Sequence, residues 1–258
     1  IYKKYYWFFA FTIFTLQILS IPARGLAEQS ELLVSAAISL KDAFEEMANH
    51  FEKQYAVKIN FNFGASGTLQ KQIEYGAPVD VYASAAEKQM DILESKSLIL
   101  EGTRKNFARN VMIIIQSKSS EMPLNSIYDL TNPEIKTVAI GNPNTVPAGY
   151  YARELLETLG LWHRIQPKLI YAQNVQHVFV YTGRGEADVG FVYQSDIYKD
   201  KEKLLKTIYI PLDSQPSILY PIAVVRNSLV PDLATRFVEL VTSETGKRIL
   251  VKSGFEIP

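Results

Sequence analysis

The chain contains no cysteine and only three histidines, and these absences exclude several chemistries before any motif is considered. Without cysteine there is no disulfide, no thiolate metal site, no cysteine nucleophile and no lipidated N-terminal cysteine. The histidines, His50, His163 and His177, are scattered along the sequence, which argues against a histidine-rich metal centre. We therefore expect a protein without a resident metal or cofactor.

The chain also lacks an excess of charge of either sign. Its 27 Lys and Arg residues balance 27 Asp and Glu residues, so no polybasic surface for nucleic acid is indicated. We expect no nucleic-acid partner. An anionic ligand would have to be held by local dipoles, because the protein as a whole supplies no attractive field.

The first 27 residues are typical of an export signal. Two lysines precede an apolar run at 5–19, and Pro22 and several small residues follow, up to Ala27. We predict a signal peptide over residues 1–27 and a mature protein in the periplasm or on the outer face of the cell membrane. An uncleaved anchor is the alternative, although the apolar run is short for a membrane span.

Short apolar strands alternate with amphipathic helices along the rest of the chain, which predicts an α/β fold. Strands at 107–116 and 219–225 are interpreted as two crossings between lobes. We accordingly predict lobe 1 over residues 28–112 and 222–258, and lobe 2 over residues 113–221. The two tail helices return to lobe 1 in this scheme.

A short turn, Gly64-Ala65-Ser66-Gly67, joins an alternating strand to a helix. Serine is a preferred helix N-cap, and we predict that Ser66 occupies this position. A helix start of this kind presents a hydroxyl and free backbone N–H groups, which together suit an anion. The alternative is that Ser66 merely caps its helix.

Four helix starts have this character, and their spacing is similar in the two lobes. Ser39 and Ser66 lie in lobe 1, whereas Ala148 and Val175 lie in lobe 2, and the separations agree: 66 − 39 = 27 and 175 − 148 = 27. We predict that Ser39 opens a helix, with Asp42 completing a capping box. Together the turns supply donors and the positive ends of helix dipoles, without Lys or Arg.

Five segments carry a resemblance to a known family. They are Ala36-Ala37-Ile38-Ser39-Leu40, Gly64-Ala65-Ser66-Gly67-Thr68-Leu69, Val146-Pro147-Ala148-Gly149-Tyr150-Tyr151-Ala152, Asn174-Val175 and Val189-Gly190-Phe191-Val192-Tyr193. In their order and spacing they resemble the periplasmic molybdate-binding proteins of ABC importers, the ModA family. The similarity extends over roughly residues 31 to 258. It differs at Ile38, Asn142 and Gln173, none of which is an expected ligand donor.

The resemblance implies a two-lobed type II periplasmic-binding-protein fold with the ligand cleft between the lobes. The ligand would be molybdate or tungstate, so molybdenum would enter only as its oxyanion. Ser39 and Ser66 would donate hydroxyl and N–H groups, Ala148 and Val175 backbone N–H groups, and Tyr193 its phenol. The implied partner is the membrane permease of an ABC transporter, and we expect a monomer.

Three alternatives to molybdate binding remain open at this stage. The ligand could be another tetrahedral oxyanion, such as sulfate, or the protein could sense an anion instead of transporting it. An exported hydrolase is the third, but the turn at Ser66 lacks the Gly-x-Ser-x-Gly spacing of a nucleophile elbow. We expect no enzyme activity, and we expect Asp80 to be a structural hydrogen-bond partner.

Overall fold

A computed structural model describes residues 31–197 and 205–258. The predicted signal peptide over residues 1–27 lies outside these ranges. The strands of the described part are β1 Glu31–Ala37, β2 Lys58–Gly64, β3 Val81–Ala83, β4 Lys105–Asn110, β5 Met112–Ser117, β6 Val138–Gly141, β7 Leu169–Ala172, β8 Val189–Tyr193, β9 Leu205–Tyr209 and β10 Ile218–Val224.

The α-helices of the same part fall between the strands and after the last one. They are α1 Lys41–Tyr55, α2 Ser66–Glu74, α3 Glu87–Ser95, α4 Pro147–Thr158, α5 Trp162–Ile165, α6 Val175–Gly183, α7 Pro231–Thr242 and α8 Glu244–Lys252. In residues 31–197 and 205–258, no helix is both long and apolar enough to cross a membrane.

Two five-stranded sheets organise the molecule, and they share one topology. The strand order is β2-β1-β3-β10-β4 in the first sheet and β7-β6-β8-β5-β9 in the second. In each sheet the first three strands in the order are parallel, and the fourth, β10 or β5, pairs antiparallel with both of its neighbours, so that it runs opposite to the other four. The carboxyl ends of the parallel strands are where ligands bind in such sheets, because helices begin there. The predicted two-lobed α/β fold is confirmed.

The chain crosses between the two sheets twice. The predicted single crossing strand at 107–116 is two strands, β4 and β5, which separate at Val111 into different sheets. On the way back, β10 joins the first sheet at Ile218, so the predicted boundary between residues 221 and 222 falls inside this strand. Pro221 sits at a bulge opposite β4, one of the positions within a sheet where proline is found.

The two helices of the tail pack on the first lobe. Phe237 of α7 packs against two aromatic rings of α1, with centroids 5.7 Å from Phe44 and 5.5 Å from Phe51. All three side chains are fully buried. Burial of such large apolar side chains fixes the last two helices on the lobe that the N-terminal strands began.

The predicted caps at Ser39 and Ser66 are wrong. Ser39 lies in a short 3-10 turn, Ile38–Leu40, that precedes α1, so neither a serine cap nor a capping box with Asp42 forms. Ser66 is the first residue of α2, and Ala65 is its N-cap. In both cases the hydroxyl lies within hydrogen-bond distance of a residue from elsewhere in the chain, Tyr220 for Ser39 and Ala85 for Ser66, and does not cap its own helix. Asn174, by contrast, caps α6 as predicted and accepts from the His177 N–H at 3.0 Å.

Candidate functional site

The five residues predicted to bind the ligand converge on one small cavity between the two lobes. Its lining comes from both lobes and comprises Ala37, Ile38, Ser39, Gly64, Ala65, Ser66, Ala85, Val146, Pro147, Ala148, Asn174, Val175 and Tyr193.

Among the described residues, none that lines this cavity carries a carboxylate, ammonium or guanidinium group. Its polar groups are hydroxyls, one side-chain amide and the backbone at the starts of α2, α4 and α6. Helix N-termini carry partial positive charge and unpaired N–H groups. The cavity therefore suits a small anion that can accept hydrogen bonds from every side.

The hydroxyl of Ser66 is held by the backbone of its own lobe. Ser66 is fully buried, and its Oγ accepts from the Ala85 N–H at 3.0 Å. The carbonyl of Ser66 accepts from the Tyr82 hydroxyl at 2.8 Å. The bond from Ala85 uses a lone pair of Ser66 Oγ and not its proton, so the O–H group can still donate to a ligand.

The hydroxyl of Ser39 is held by the strand that returns from the second lobe. Ser39 Oγ lies 3.2 Å from the hydroxyl of Tyr220 in β10. Tyr220 also accepts from Asn110 Nδ2 at 3.1 Å, and Asn110 is the last residue of β4. Burial raises the pKa of Tyr220 well above its usual value, so this phenol is neutral in the folded protein.

Ala148 and Val175 face the cavity from the second lobe through the starts of two helices. Ala148 is the second residue of α4 and Val175 the first of α6, positions whose N–H groups have no partner within the helix. Pro147 at the first position of α4 fits the prediction that its missing N–H costs nothing there. Gly149 lets the start of α4 approach β6, because a Cβ there would overlap the carbonyl of Gly141.

Tyr193 ends β8 and brings a buried hydroxyl to the cavity. It is 1% exposed, and its hydroxyl meets no hydrogen-bond partner among the described residues. Burial, with added effects of Tyr220, Tyr151 and Asp196, raises the pKa of this phenol well above its usual value. A neutral phenol without a protein partner is a donor that a bound anion could use.

Contacts between described residues of the two lobes lie beside the cavity, among them a backbone hydrogen bond and a cation–π contact. The Gly67 N–H donates to the carbonyl of Thr145 at 3.0 Å, linking α2 to the turn before α4. The Lys88 Nζ lies 4.7 Å from the ring centroid of Tyr150, linking α3 to α4. These contacts hold the lobes together around the site.

Sequence reasoning missed the residues that form hydrogen bonds with the predicted donors or with their neighbours. Ala85 has no side-chain chemistry, and only its N–H matters. Asn110 and Tyr220 lie 110 positions apart, so no local pattern connects them. Asp196 accepts from the Tyr193 N–H at 2.9 Å, and its place three residues after Tyr193 is a local signal that could have been noticed.

Other polar residues considered in the sequence do not form a site. Asp80 accepts from the Leu33 N–H at 2.8 Å and from the Ser228 hydroxyl at 2.6 Å, which confirms its structural role. Among residues 31–197 and 205–258, no group of three or more His, Cys, Asp or Glu residues is placed to hold a metal ion.

Two lobes of matched topology, joined by two crossings and enclosing a donor-lined cavity, define a periplasmic-binding-protein fold. The family described as bacterial extracellular solute-binding protein matches residues 32–256. The chain belongs to this family, which is a family of binding proteins.

Relatives and solved structures agree with this assignment. The molybdate-binding protein ModA of Escherichia coli is 36% identical over 211 residues, 80% of this chain and 81% of that protein. The ModA protein of Haemophilus influenzae is 32% identical over 238 residues, 90% and 92% of the two chains. The structure of the Azotobacter vinelandii periplasmic molybdate-binding protein matches with a TM-score of 0.81 at 25% identity, over 88% of this chain and 99% of that one. The predicted resemblance to the ModA family is confirmed.

Proposed function

We propose that this protein captures molybdate, and with it tungstate, outside the cytoplasm and delivers it to the permease of an ABC importer. The observation that carries the proposal is the convergence of two seryl hydroxyls, a phenol and three α-helix starts on one cavity, whose described lining residues include no charged side chain. Relatives that are 32% to 36% identical carry the name molybdate-binding protein, which supports the choice of ligand.

The proposed contacts divide between the lobes. Ser39 and Ser66 donate from the first lobe, and Ala148, Val175 and Tyr193 donate from the second. An oxyanion that receives donors from both lobes stabilises the closed arrangement relative to an open one. A dianion taken out of water needs this full set of hydrogen bonds, because a buried charge without partners is very unfavourable.

Selectivity against sulfate rests on size, since both ions are tetrahedral dianions. The larger molybdate or tungstate ion reaches all donors at once, whereas the smaller sulfate leaves some of them unpaired. An unpaired buried donor costs about 1–3 kcal/mol, so two of them would suffice for strong discrimination.

The family and the sequence support a location outside the cytoplasm. Export would place the protein in the periplasm or on the outer face of the cell membrane, where a permease accepts the closed, loaded form. We propose that the protein acts there as a monomer and catalyses no reaction.

The test is isothermal titration of the purified protein with sodium molybdate, sodium tungstate and sodium sulfate. The expected result is tight one-to-one binding of molybdate and tungstate and no heat with sulfate. Tight binding of sulfate would instead favour the alternative, a binding protein for another tetrahedral oxyanion. No heat with any of the three ions would overturn the proposal.

A further inference from the structure

A chain of hydrogen bonds leads from the two crossings between the lobes to the hydroxyl of Ser39. It starts at Asn110, the last residue of β4, and passes through Tyr220 of β10. Asn110 is 6% exposed and Tyr220 is fully buried. Neither residue lines the cavity, so any effect on the ligand must pass through Ser39.

The orientation of the Asn110 amide is fixed by the backbone. Its Oδ1 accepts from the Val111 N–H at 3.0 Å, so its Nδ2 faces the other way. There Nδ2 donates to the Tyr220 hydroxyl at 3.1 Å and to the Ser195 hydroxyl at 2.8 Å. A flipped amide would lose both of these donors and would turn its NH₂ group toward the Val111 N–H.

Tyr220 accepts a hydrogen bond from Asn110 and keeps one proton to donate. Ser39 Oγ lies 3.2 Å from the Tyr220 hydroxyl, a distance at which either group can be the donor. When Tyr220 donates, Ser39 is the acceptor. Its own proton has no other described acceptor, and the residue borders the cavity.

The Ser66 hydroxyl is also oriented as a donor, but by a backbone N–H group instead of a phenol. Its Oγ accepts from the Ala85 N–H at 3.0 Å, which leaves its proton free for the cavity. With Tyr220 as the donor to Ser39, both serines of the first lobe present a proton to the cavity.

We propose that Asn110 and Tyr220 are positioning residues that fix Ser39 as a hydrogen-bond donor to the bound oxyanion. The inference rests on the proposed function and concerns the same site. A donor role for Ser39 affects specificity. A fully deprotonated oxyanion accepts from every donor, whereas inorganic phosphate at neutral pH carries a proton that needs an acceptor. Fixing Ser39 as a donor therefore disfavours the protonated ion.

The experiment is a double-mutant cycle of Tyr220→Phe and Ser39→Ala, with molybdate affinity measured by titration. Tyr220→Phe keeps the buried ring and removes only the hydroxyl. We expect each single variant to lose about tenfold or more in affinity, the order of one hydrogen bond to a charged group. In the Ser39→Ala background, Tyr220→Phe should have no further effect, because the group on which it acts is gone.

A matched control separates this role from a general loss of packing. Tyr82 is also fully buried in the first lobe, but its hydroxyl donates to the Ser66 carbonyl. The effects of Tyr82→Phe and Ser39→Ala should therefore multiply to within about twofold. Multiplying effects in the Tyr220 cycle would overturn the inference.

Inorganic phosphate gives a second readout. Tyr220→Phe leaves Ser39 free to rotate and accept a proton, so the ratio of molybdate to phosphate affinity should fall. A purely structural loss would lower both affinities equally and would overturn the inference.

Neutron diffraction of the deuterated parent protein with molybdate tests the geometry without any variant, should Tyr220→Phe fail to fold. The Tyr220 deuteron should point to Ser39 Oγ, and the Ser39 deuteron to an oxygen of the ion. A Ser39 deuteron directed at Tyr220 would overturn the inference. Failure of the parent protein to bind molybdate would overturn the proposed function instead, so the two failures are distinguishable.

Discussion

The backbone N–H of Gly67 donates to the carbonyl of Thr145 at 3.0 Å, and this bond joins the start of α2 in one lobe to the turn before α4 in the other. A side chain at position 67 would not fit, because an added Cβ would lie 2.7 Å from the Thr145 carbonyl oxygen and 2.9 Å from its Cα. The glycine is thus required by the approach of the lobes.

We predict that Gly67→Ala weakens molybdate binding by about tenfold or more, because the closed arrangement becomes less populated and affinity falls with that population. The thermal stability of the unliganded protein should change little, since each lobe keeps its own core. Titration measures the affinity, small-angle X-ray scattering with and without molybdate measures the closure of the lobes, and thermal unfolding without ligand measures the stability.

Gly183→Ala is the matched control for this prediction. Gly183 ends α6, and an added Cβ would meet nothing within 4 Å. This variant should bind like the parent protein. Equal affinities for Gly67→Ala and Gly183→Ala would show that the Gly67–Thr145 approach does not control binding.

Ser66→Ala should weaken molybdate binding by about 1.5–3 kcal/mol, the range for a hydrogen bond to a charged group. It also leaves the Ala85 N–H without its acceptor. Ser95→Ala is the control, since the Ser95 hydroxyl is exposed at the end of α3 and bonds only the Ile92 carbonyl. Unchanged affinity of Ser66→Ala would remove this residue from the site.

Tyr193→Phe should lower the affinity for molybdate without lowering the stability of the unliganded protein. Its hydroxyl has no partner among the described residues, so its loss should not destabilise the unliganded protein. Molybdate binding should nevertheless weaken by about 1.5–3 kcal/mol if the phenol donates to the ion.

Tyr82→Phe provides the contrast, because the Tyr82 hydroxyl donates to the Ser66 carbonyl at 2.8 Å. This variant should lose stability by about 0.5–1.5 kcal/mol. Urea unfolding without ligand measures both variants. A Tyr193→Phe protein as destabilised as Tyr82→Phe would argue for a structural role of the Tyr193 hydroxyl.

The buried phenols predict a loss of stability at high pH. Burial raises the pKa of Tyr193 and of Tyr220 well above the usual value. A group whose pKa is higher in the folded than in the unfolded state contributes stability that is full below the unfolded pKa of about 10. That contribution is lost as the pH rises through the folded pKa, by up to about 1.4 kcal/mol per pH unit for each group.

Urea unfolding at a series of pH values from about 8 to 11 checks this prediction. The free energy of unfolding of the parent protein should fall above about pH 10, and the fall should be shallower in Tyr193→Phe or Tyr220→Phe. Tyr75→Phe is the control, because this side chain is 88% exposed. A slope as steep in Tyr220→Phe as in the control would contradict the prediction.

Much of the fold was open to sequence reasoning because it depends on local patterns. Alternating apolar residues at 57–63 place a strand close to the observed Lys58–Gly64. Proline at 147 and asparagine at 174 mark the starts of α4 and α6 correctly, because the first position and the cap of a helix favour those residue types. Ser39, Ser66, Ala148, Val175 and Tyr193 were predicted as ligand contacts from the helix starts together with the family resemblance, and the fold brings these five residues to one cavity.

The sequence by itself determined the order of strands and helices, the neutral donor chemistry of the turns and the absence of thiol chemistry, since these follow from residue type and spacing. Only the tertiary structure decided what each hydroxyl does. Ser39 and Ser66 resemble helix caps locally, but Tyr220 and Ala85, which come from distant parts of the chain, engage them instead. Hydrogen bonds between residues 181 and 19 positions apart exist only once the sheets have assembled, because folding alone brings such partners within reach.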